Sequence, residues 1–248
     1  MTTLFRSLFS IAIAVVAFSG AAAQAQNFTP QQRGEIETII RDYFTKHPEM
    51  IEELQALAAS AKVKRVIGEN KDVLLNSPRQ VTLGNPKGDV TMVEFFDYNC
   101  GYCKKALDDM MTLMKNDPNL RIVLKEMPVL SQGSMEAAQV AAALAMQDKS
   151  GKRYLDFHQK LLTGRGQVDK ARALAVAKEA GADMTRLEKD MTGPEVKTAL
   201  EESFKLAEAF NIQGTPSYVI GNEVLVGAVG LKELQGKINT ARCGKATC

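Results

Sequence analysis

Histidine is nearly absent from this sequence: His47 and His158 are the only two in 248 residues. Cysteine is sparse as well, with Cys100, Cys103, Cys243 and Cys248. Neither histidine neighbours a cysteine, and the spacing of Cys243 and Cys248 lies at the edge of what zinc sites use, so a structural zinc centre is disfavoured. Four cysteines in so long a chain are too few for a disulfide-built scaffold; they read as one functional pair and one local staple. No sign of charge dominates, with 31 Lys and Arg against 29 Asp and Glu and a net charge of +2, so nothing points to nucleic acid or anionic membrane as a partner. After Phe18 no segment is apolar enough to span a bilayer. There is no internal repeat and no low-complexity tract. What remains, 45% hydrophobic and 24% charged residues, is ordinary for a soluble globular protein of one large domain, or a domain with an accessory segment.

The N-terminus departs from this pattern. Arg6 is the only charged side chain before Arg33, an apolar run follows from Leu8 to Phe18, and small residues dominate Gly20 to Ala25. That is the layout of a secretory signal with an Ala-x-Ala site at Ala23-Gln24-Ala25. The apolar run is shorter than the roughly 20 residues of a spanning helix. Residues 1–25 are therefore expected to be a cleaved signal peptide, with an uncleaved anchor as the alternative, and a soluble mature chain near Gln26. Export to an oxidising compartment permits disulfides.

Residues 28–67 read as helical. Thr29-Pro30-Gln31-Gln32 has the form of a capping box with Pro30 at the first helical position. Ile36, Ile39, Ile40, Tyr43 and Phe44 form one apolar face. Pro48 breaks the pattern, and Ile51, Leu54, Leu57, Ala58 and Ala61 resume it. These stripes either pack on the same chain or drive self-association. Turn signals fill 76–89 around a short edge strand at Val81–Leu83. Val90–Phe96 is a buried central strand carrying one charge, Glu94. A helix from Cys100 to about Lys115 and a strand Leu120–Glu126 complete a strand–helix–strand unit. Residues 134–210 are helical, broken at glycines. Tyr218–Ile220 and Glu223–Val226 form a hairpin across Gly221-Asn222, and Leu231–Thr240 is a closing helix.

Cys100-Gly101-Tyr102-Cys103 sits where the buried strand becomes a helix. The first turn of a helix has unpaired N–H groups and the positive end of the macrodipole, so a thiolate there is stabilised. Cys100 is expected to be exposed at the helix start and to be the attacking and attacked sulfur. Cys103, one turn deeper, is the expected resolving sulfur, with exchange passing through a mixed disulfide on Cys100. An inert structural disulfide is disfavoured in so tight a loop at a helix start.

Glu94, in an apolar strand, must be paired or have a raised pKa. Close to Cys103 it would pass protons to the resolving thiol; the alternative is that it faces solvent at a sheet margin. Lys125 on the next strand is a candidate partner for it, or an ordinary surface lysine. Gly214-Thr215-Pro216 precedes the Tyr218 strand, and Pro216 at a strand start removes one ladder donor.

The run Val93 to Cys103, with Gly214-Thr215-Pro216 far downstream, resembles the DsbA-type branch of the thioredoxin superfamily. Lys125 to Leu130 is similar to a stretch of its Com1-like and ScsC-like members. The resemblance covers about residues 70–240. It implies an α/β thioredoxin fold at 76–248 with a helical insertion at about 131–193, preceded by an N-terminal helical segment at 26–75. It implies a cis peptide before Pro216, which faces the cysteine pair and leaves the Thr215 backbone free for an extended substrate. It also implies that Glu94 is the family's buried acid. Gly101-Tyr102 departs from the Pro-His of the strong oxidases and is similar to the dipeptide of bacterial disulfide isomerases, so a lower oxidising power is expected. The N-terminal helices resemble, more loosely, the oligomerisation stalk of ScsC-like proteins, some of which assemble and isomerise disulfides.

The expected function is a periplasmic thiol–disulfide oxidoreductase acting on exported proteins, leaning to isomerase, with net oxidase or reductase as the alternative. No bound cofactor is expected, since Cys100 and Cys103 hold the redox equivalents. Partners are cysteine-containing client proteins, a membrane redox protein that resets the pair, and a second copy of the chain through 28–67. A Cu(I)-binding protein using reduced cysteines is the reading from another class, weakened by the lack of a Met- or His-rich cluster around Cys100. Cys243 and Cys248 have no role in the resemblance; a C-terminal staple, a second redox pair and a metal-binding tail remain open.

Overall fold

A computed structural model describes residues 28–148 and 150–248. The expected signal peptide lies outside the described residues. The described residues divide into two compact units, one ending at Ile51 and the other beginning at Glu52.

In the first unit, α1 (Pro30–Lys46) starts with the capping box the sequence shows: the Thr29 hydroxyl accepts the Gln32 N–H, and the Gln32 side chain accepts the Thr29 N–H. Pro30 at the first position costs nothing, because that N–H has no helical partner. Ile36, Ile39, Ile40 and Tyr43 are exposed.

The second helix, α2 (Glu49–Leu75), is longer than its apolar pattern indicates. Residues 68–75 carry Gly68, Asn70 and Asp72, which are weak helix formers. The helix kinks at Asn70, whose side chain donates to the Val66 carbonyl. Its last turn is held by packing: Leu74 is fully buried, and Lys125 donates to the Val73 carbonyl at 2.7 Å.

The remaining chain builds one five-stranded sheet from β1 (Val81–Gly84), β2 (Val90–Phe96), β3 (Leu120–Glu126), β4 (Ser217–Ile220) and β5 (Glu223–Val226), in the order β1-β3-β2-β4-β5. Only β2 and β3 are parallel; they are joined by α3 (Gly101–Asn116), because a parallel pair needs a long crossover. The β2–β3 pair is central and buried on both faces, which explains its nearly unbroken apolar runs. Between β3 and β4 the chain forms α4 (Gln132–Ala145), α5 (Lys152–Thr163), α6 (Lys170–Glu179), α7 (Met184–Asp190) and α8 (Pro194–Ala209); α9 (Leu231–Cys243) closes the fold. The short α7 has too few residues for a periodic pattern, and its start is marked only by Asp183, which caps the Arg186 N–H.

The strand pleat sorts residues onto two faces. Met92, Phe96, Ile122, Leu124 and Ile220 join the larger core with α3, α4, α5 and α9. Val93, Phe95, Val123 and Val219 meet the end of α2 and Phe210 beyond α8. Each such large apolar side chain contributes about 1.5–3 kcal/mol when fully buried.

Cys243, the last residue of α9, is bonded to Cys248. So short a loop stabilises by only ~2 kcal/mol in the chain-entropy model. A helix C-terminus disfavours a thiolate, the reverse of the setting of Cys100, so this placement favours a staple over a second exchange site.

Candidate active site

Cys100 is the N-cap residue of α3, in extended conformation, and Cys103 lies one turn into the helix. Both are free thiols. The structure corrects one expectation: Cys100 is only 5% exposed. The Thr215–Pro216 segment lies over it, with the Thr215 carbonyl 3.1 Å from Cys100 Sγ. Cys103 is deeper still, at 1%. The peptide bond between Thr215 and Pro216 is cis. The Thr215 carbonyl is engaged by the Cys100 thiol in this state, and becomes available when that sulfur gives up its proton.

The Cys100 pKa is lowered to about 5. The chief cause is the Cys103 thiol, which donates to it. The Thr215 hydroxyl and the backbone N–H groups of Cys103 and Tyr102 add to this and outweigh burial. The thiolate is thus stabilised without the histidine of the strong oxidases. Cys103 is pushed up, first because its proton serves Cys100 and then by burial. The two sulfurs therefore have opposite characters, one favoured as a thiolate at the helix start, one held neutral a turn deeper.

Asp97, which the sequence reading did not single out, fixes the loop that presents Cys100. Its buried carboxylate accepts the Asn99 N–H at 2.8 Å and those of Val129 and Leu130 at 2.9 and 3.0 Å. Its carbonyl accepts the Cys100 N–H at 3.0 Å. Hydrogen bonds to a charged acceptor contribute about 1.5–3 kcal/mol each. The Asp-x-Asn spacing is an Asx-turn signal, and the only local one available. Asn99 ties the same loop to the helical insertion: its amide donates to Ser134 Oγ and the Val168 carbonyl, and its oxygen accepts the Val168 N–H at 2.7 Å. Gly133 makes this approach feasible, since a Cβ there would sit 2.5 Å from the Val168 oxygen.

A second polar network, also absent from the sequence reading, lies in the core. The Tyr98 hydroxyl donates to Tyr154, which donates to Glu126 at 2.6 Å, and His158 contacts the Tyr98 hydroxyl. All four are buried. Burial keeps His158 neutral, with its pKa lowered to about 3, and raises that of Glu126. The network joins α5 to the ends of β2 and β3.

Glu94 is 3% exposed, which removes the solvent-facing alternative. Burial, and secondarily the charge of Asp109, raises its pKa to about 8. Lys125 is not its partner. In the β2–β3 register Lys125 stands opposite Phe95, and Glu94 opposite Leu124. A one-residue offset places a side chain on the other face of a sheet, so Lys125 points to α2, where it donates to Val73. Burial there lowers its pKa to about 8.

A family model described as the DSBA-like thioredoxin domain matches residues 91–239, an interval that holds Glu94, Cys100, Cys103 and the Thr215–Pro216 peptide. The chain belongs to this DSBA-like family. Among solved structures, a thioredoxin-like oxidoreductase from Silicibacter pomeroyi is 40% identical over 70% of this chain and 98% of that one, with a TM-score of 0.66. A linker-deletion variant of ScsC from Proteus mirabilis is 25% identical over 89% of this chain and 99% of its own, with a TM-score of 0.71. The similarity to ScsC thus extends beyond the DSBA-like domain. Among curated relatives, the thiol:disulfide interchange protein DsbA of Bordetella pertussis is 25% identical, over 71% of this chain and 83% of its own. The chain also matches the Na(+)/H(+) antiporter NhaA 1 of Salinispora arenicola at 22% identity, spanning only 29% of that longer protein. Among the described residues no helix is long and apolar enough to cross a membrane.

Proposed function

We propose that this protein is a periplasmic thiol–disulfide oxidoreductase for exported client proteins, acting chiefly as a disulfide isomerase. The observation that carries this is the asymmetry of the cysteine pair: a stabilised Cys100 thiolate at a helix N-terminus beside an enclosed, protonated Cys103. Cys100 attacks a client disulfide and forms a mixed disulfide. Cys103 then displaces the client by attacking Cys100 Sγ, with Glu94 taking its proton, while Thr215 and Pro216 position the extended client. Exposed apolar side chains stand close by: Tyr102 within the motif, and Val129 and Leu130 on the loop held by Asp97. They suit unfolded clients without sequence preference. A membrane redox partner resets the pair, and residues 1–25 direct export. No nucleic acid is involved.

Two features favour the isomerase direction over net oxidase or reductase. Gly101-Tyr102 replaces the Pro-His of the strong oxidases. Helices α1 and α2 expose apolar residues, Ile36, Ile39, Ile40 and Tyr43 on the first and Ile51, Leu54 and Leu57 on the second, which suit self-association through 28–67. In this reading residues 26–75 are the assembly segment and 76–248 the catalytic domain, with the helical insertion at about 131–193; the Cys243–Cys248 bond is a staple. The test is recovery of scrambled ribonuclease. Strong recovery that is lost in Cys100→Ser supports the isomerase. Little recovery alongside rapid oxidation of reduced ribonuclease would assign the oxidase direction instead, and tight Cu(I) binding without exchange would overturn the class.

A further inference from the structure

The loop between α5 and α6, residues 164–169, is fastened to the start of α3 at both ends. At one end the Lys104 ammonium donates to the Gly164 carbonyl at 3.3 Å. At the other, Val168 pairs with the Asn99 side chain through its N–H and its carbonyl, at 2.7 and 2.9 Å. Asn99 immediately precedes Cys100, and the Lys104 N–H donates to the Cys100 carbonyl at 3.2 Å. Between these anchors the loop wraps the Arg172 guanidinium, which donates to the carbonyls of Arg165, Gly166 and Gln167. Gly166 supplies the left-handed backbone this requires, with φ 82°. Arg165 is therefore next to one anchor and three residues from the other, no more than about 11 Å of extended chain from Val168.

Three cations stand on this side of Cys100. Lys104 is half-buried, and Lys105 and Arg165 are exposed. Lys105 lies over the ring of the exposed Tyr102, 5.4 Å from its centroid, within the Cys100–Cys103 motif. None of the three forms an ion pair among the described residues. The acids around them are engaged elsewhere. Asp169 accepts the Arg172 N–H at 2.9 Å, Glu136 accepts the Lys170 N–H at 3.2 Å, and Asp156 holds Lys160 at 2.8 Å. Asp108 and Asp109 come one turn further along α3 than Lys104 and Lys105. The whole chain carries 31 basic and 29 acidic residues, so the imbalance is local and does not follow from net charge.

We propose that Lys104, Lys105 and Arg165 form a basic rim that recruits clients whose reactive cysteines are flanked by acidic residues. The inference rests on the exchange reading above. Cys100 favours its thiolate, so the sulfur itself repels an acidic segment, and the rim reverses that repulsion. Charges at the edge of a contact act chiefly on the rate of encounter. In the step that is steered, the Cys100 thiolate bonds to the client sulfur as the client S–S bond breaks, and the departing sulfur leaves as a thiolate. The apolar side chains beside the site accept unfolded segments of any sequence; the rim adds a bias by charge. Three cations are too few for a membrane surface, where recognition takes about 4–8, and their place beside a reactive thiolate suits a partner that presents a sulfur.

The test uses the reduced full chain and three peptides of one length. Each carries one cysteine joined by a disulfide to the same chromophoric thiol, flanked by Glu, Gln or Lys. Release of the chromophore gives the rate, and the acidic-to-neutral ratio cancels any general change in Cys100 reactivity. The same ratio for a small uncharged thiol removes the peptides' own differences. The wild type should favour the acidic peptide by about tenfold at low ionic strength, with the basic peptide slowest. The preference should disappear in about 1 M salt, where the Debye length is about 3 Å. Lys105→Gln combined with Arg165→Gln should remove most of it, and Lys105→Glu combined with Arg165→Glu should invert it. Lys87→Glu makes the same change in net charge as the glutamine pair, but at the other end of β2, about 20 Å from Cys100; it should keep the wild-type ratio. Equal rates for the acidic and neutral peptides in the wild type overturn the proposal and leave exchange by Cys100 standing. So does a preference that survives the glutamine pair intact, or one lost equally in Lys87→Glu. No release from any peptide overturns the exchange reading as well.

Discussion

Cys100 is expected to react with a small disulfide reagent with a midpoint near pH 5, the value its surroundings impose on an ordinary pKa of 9.0. Cys103 stays silent over the same range. The magnitude of the advantage over an ordinary thiol is decided by two opposing effects. At pH 6 Cys100 is almost wholly thiolate, whereas a thiol of pKa 9.0 is about one part in a thousand ionised. Intrinsic nucleophilicity falls with pKa, and over four units a Brønsted slope of 0.4–0.5 costs about sixtyfold. The net result at pH 6 is a rate about tenfold above that of the ordinary thiol. By pH 8 the ordinary thiol has gained two decades of thiolate and the order reverses. Stopped-flow exchange of the wild-type chain between pH 4 and 9, with Cys100→Ser to subtract any reaction of Cys103, gives the profile directly. A Cys100 midpoint near 9 would mean that Cys103, Thr215 and the first amides of α3 do not stabilise the sulfur in solution.

Glu94→Gln is expected to stabilise the reduced protein while slowing resolution. Glu94 carries a folded-state pKa of about 8 against an ordinary 4.5. Between those values the unfolded chain has lost its proton and the folded chain has not. Folding then requires proton uptake, so stability is full below about pH 4.5 and is lost as pH rises through about 8. At pH 7 the linkage cost is on the order of 3 kcal/mol, since the side chain is almost completely buried and solvent screens it little. Glutamine, neutral at every pH, escapes that cost. For a chain of this size 1 kcal/mol moves Tm by about 2–4 °C, so a rise of several degrees at pH 7 follows. Denaturant unfolding of both proteins at pH 5 and pH 8 should show the gain growing with pH. A gain of equal size at both values would indicate a packing effect and argue against a buried, protonated acid. The cost to the wild type is consistent with Glu94 being retained for proton transfer.

What could be read from the chain alone follows from the range of the interactions involved. Local signals were legible: the Thr29 capping box, the Pro48 break, the strand-to-helix junction at Cys100, and the apolar runs of β2 and β3. The cis peptide before Pro216 was not readable from the residues themselves, because cis is a minority state, and it came through the family resemblance. Lys125 is neither a partner of Glu94 nor a surface lysine, the two readings the chain alone offers, because choosing between faces needs the β2–β3 register, which an apolar run buried on both faces does not specify. Cys100 was expected to be exposed because the segment that covers it, Thr215–Pro216, lies more than a hundred residues away. Asp97, Asn99 and the network of Tyr98, Tyr154, Glu126 and His158 were missed for the same reason. Each looks like an ordinary polar residue until distant partners, Val129, Val168 or each other, are brought to it. The last turn of α2 lies beyond the apolar pattern that marks 28–67 as helical, because tertiary packing of Leu74 overrides the weak propensity of Gly68 and Asn70.

The most direct test of the division of labour between the two sulfurs is to mix Cys103→Ser with a disulfide-containing client and separate the products without reductant. The account predicts a covalent client adduct on Cys100 that accumulates because nothing resolves it, and no adduct in Cys100→Ser. An adduct that forms on Cys103 in Cys100→Ser at a comparable rate, or none on Cys100 in Cys103→Ser, would contradict the assignment of Cys100 as the attacking sulfur.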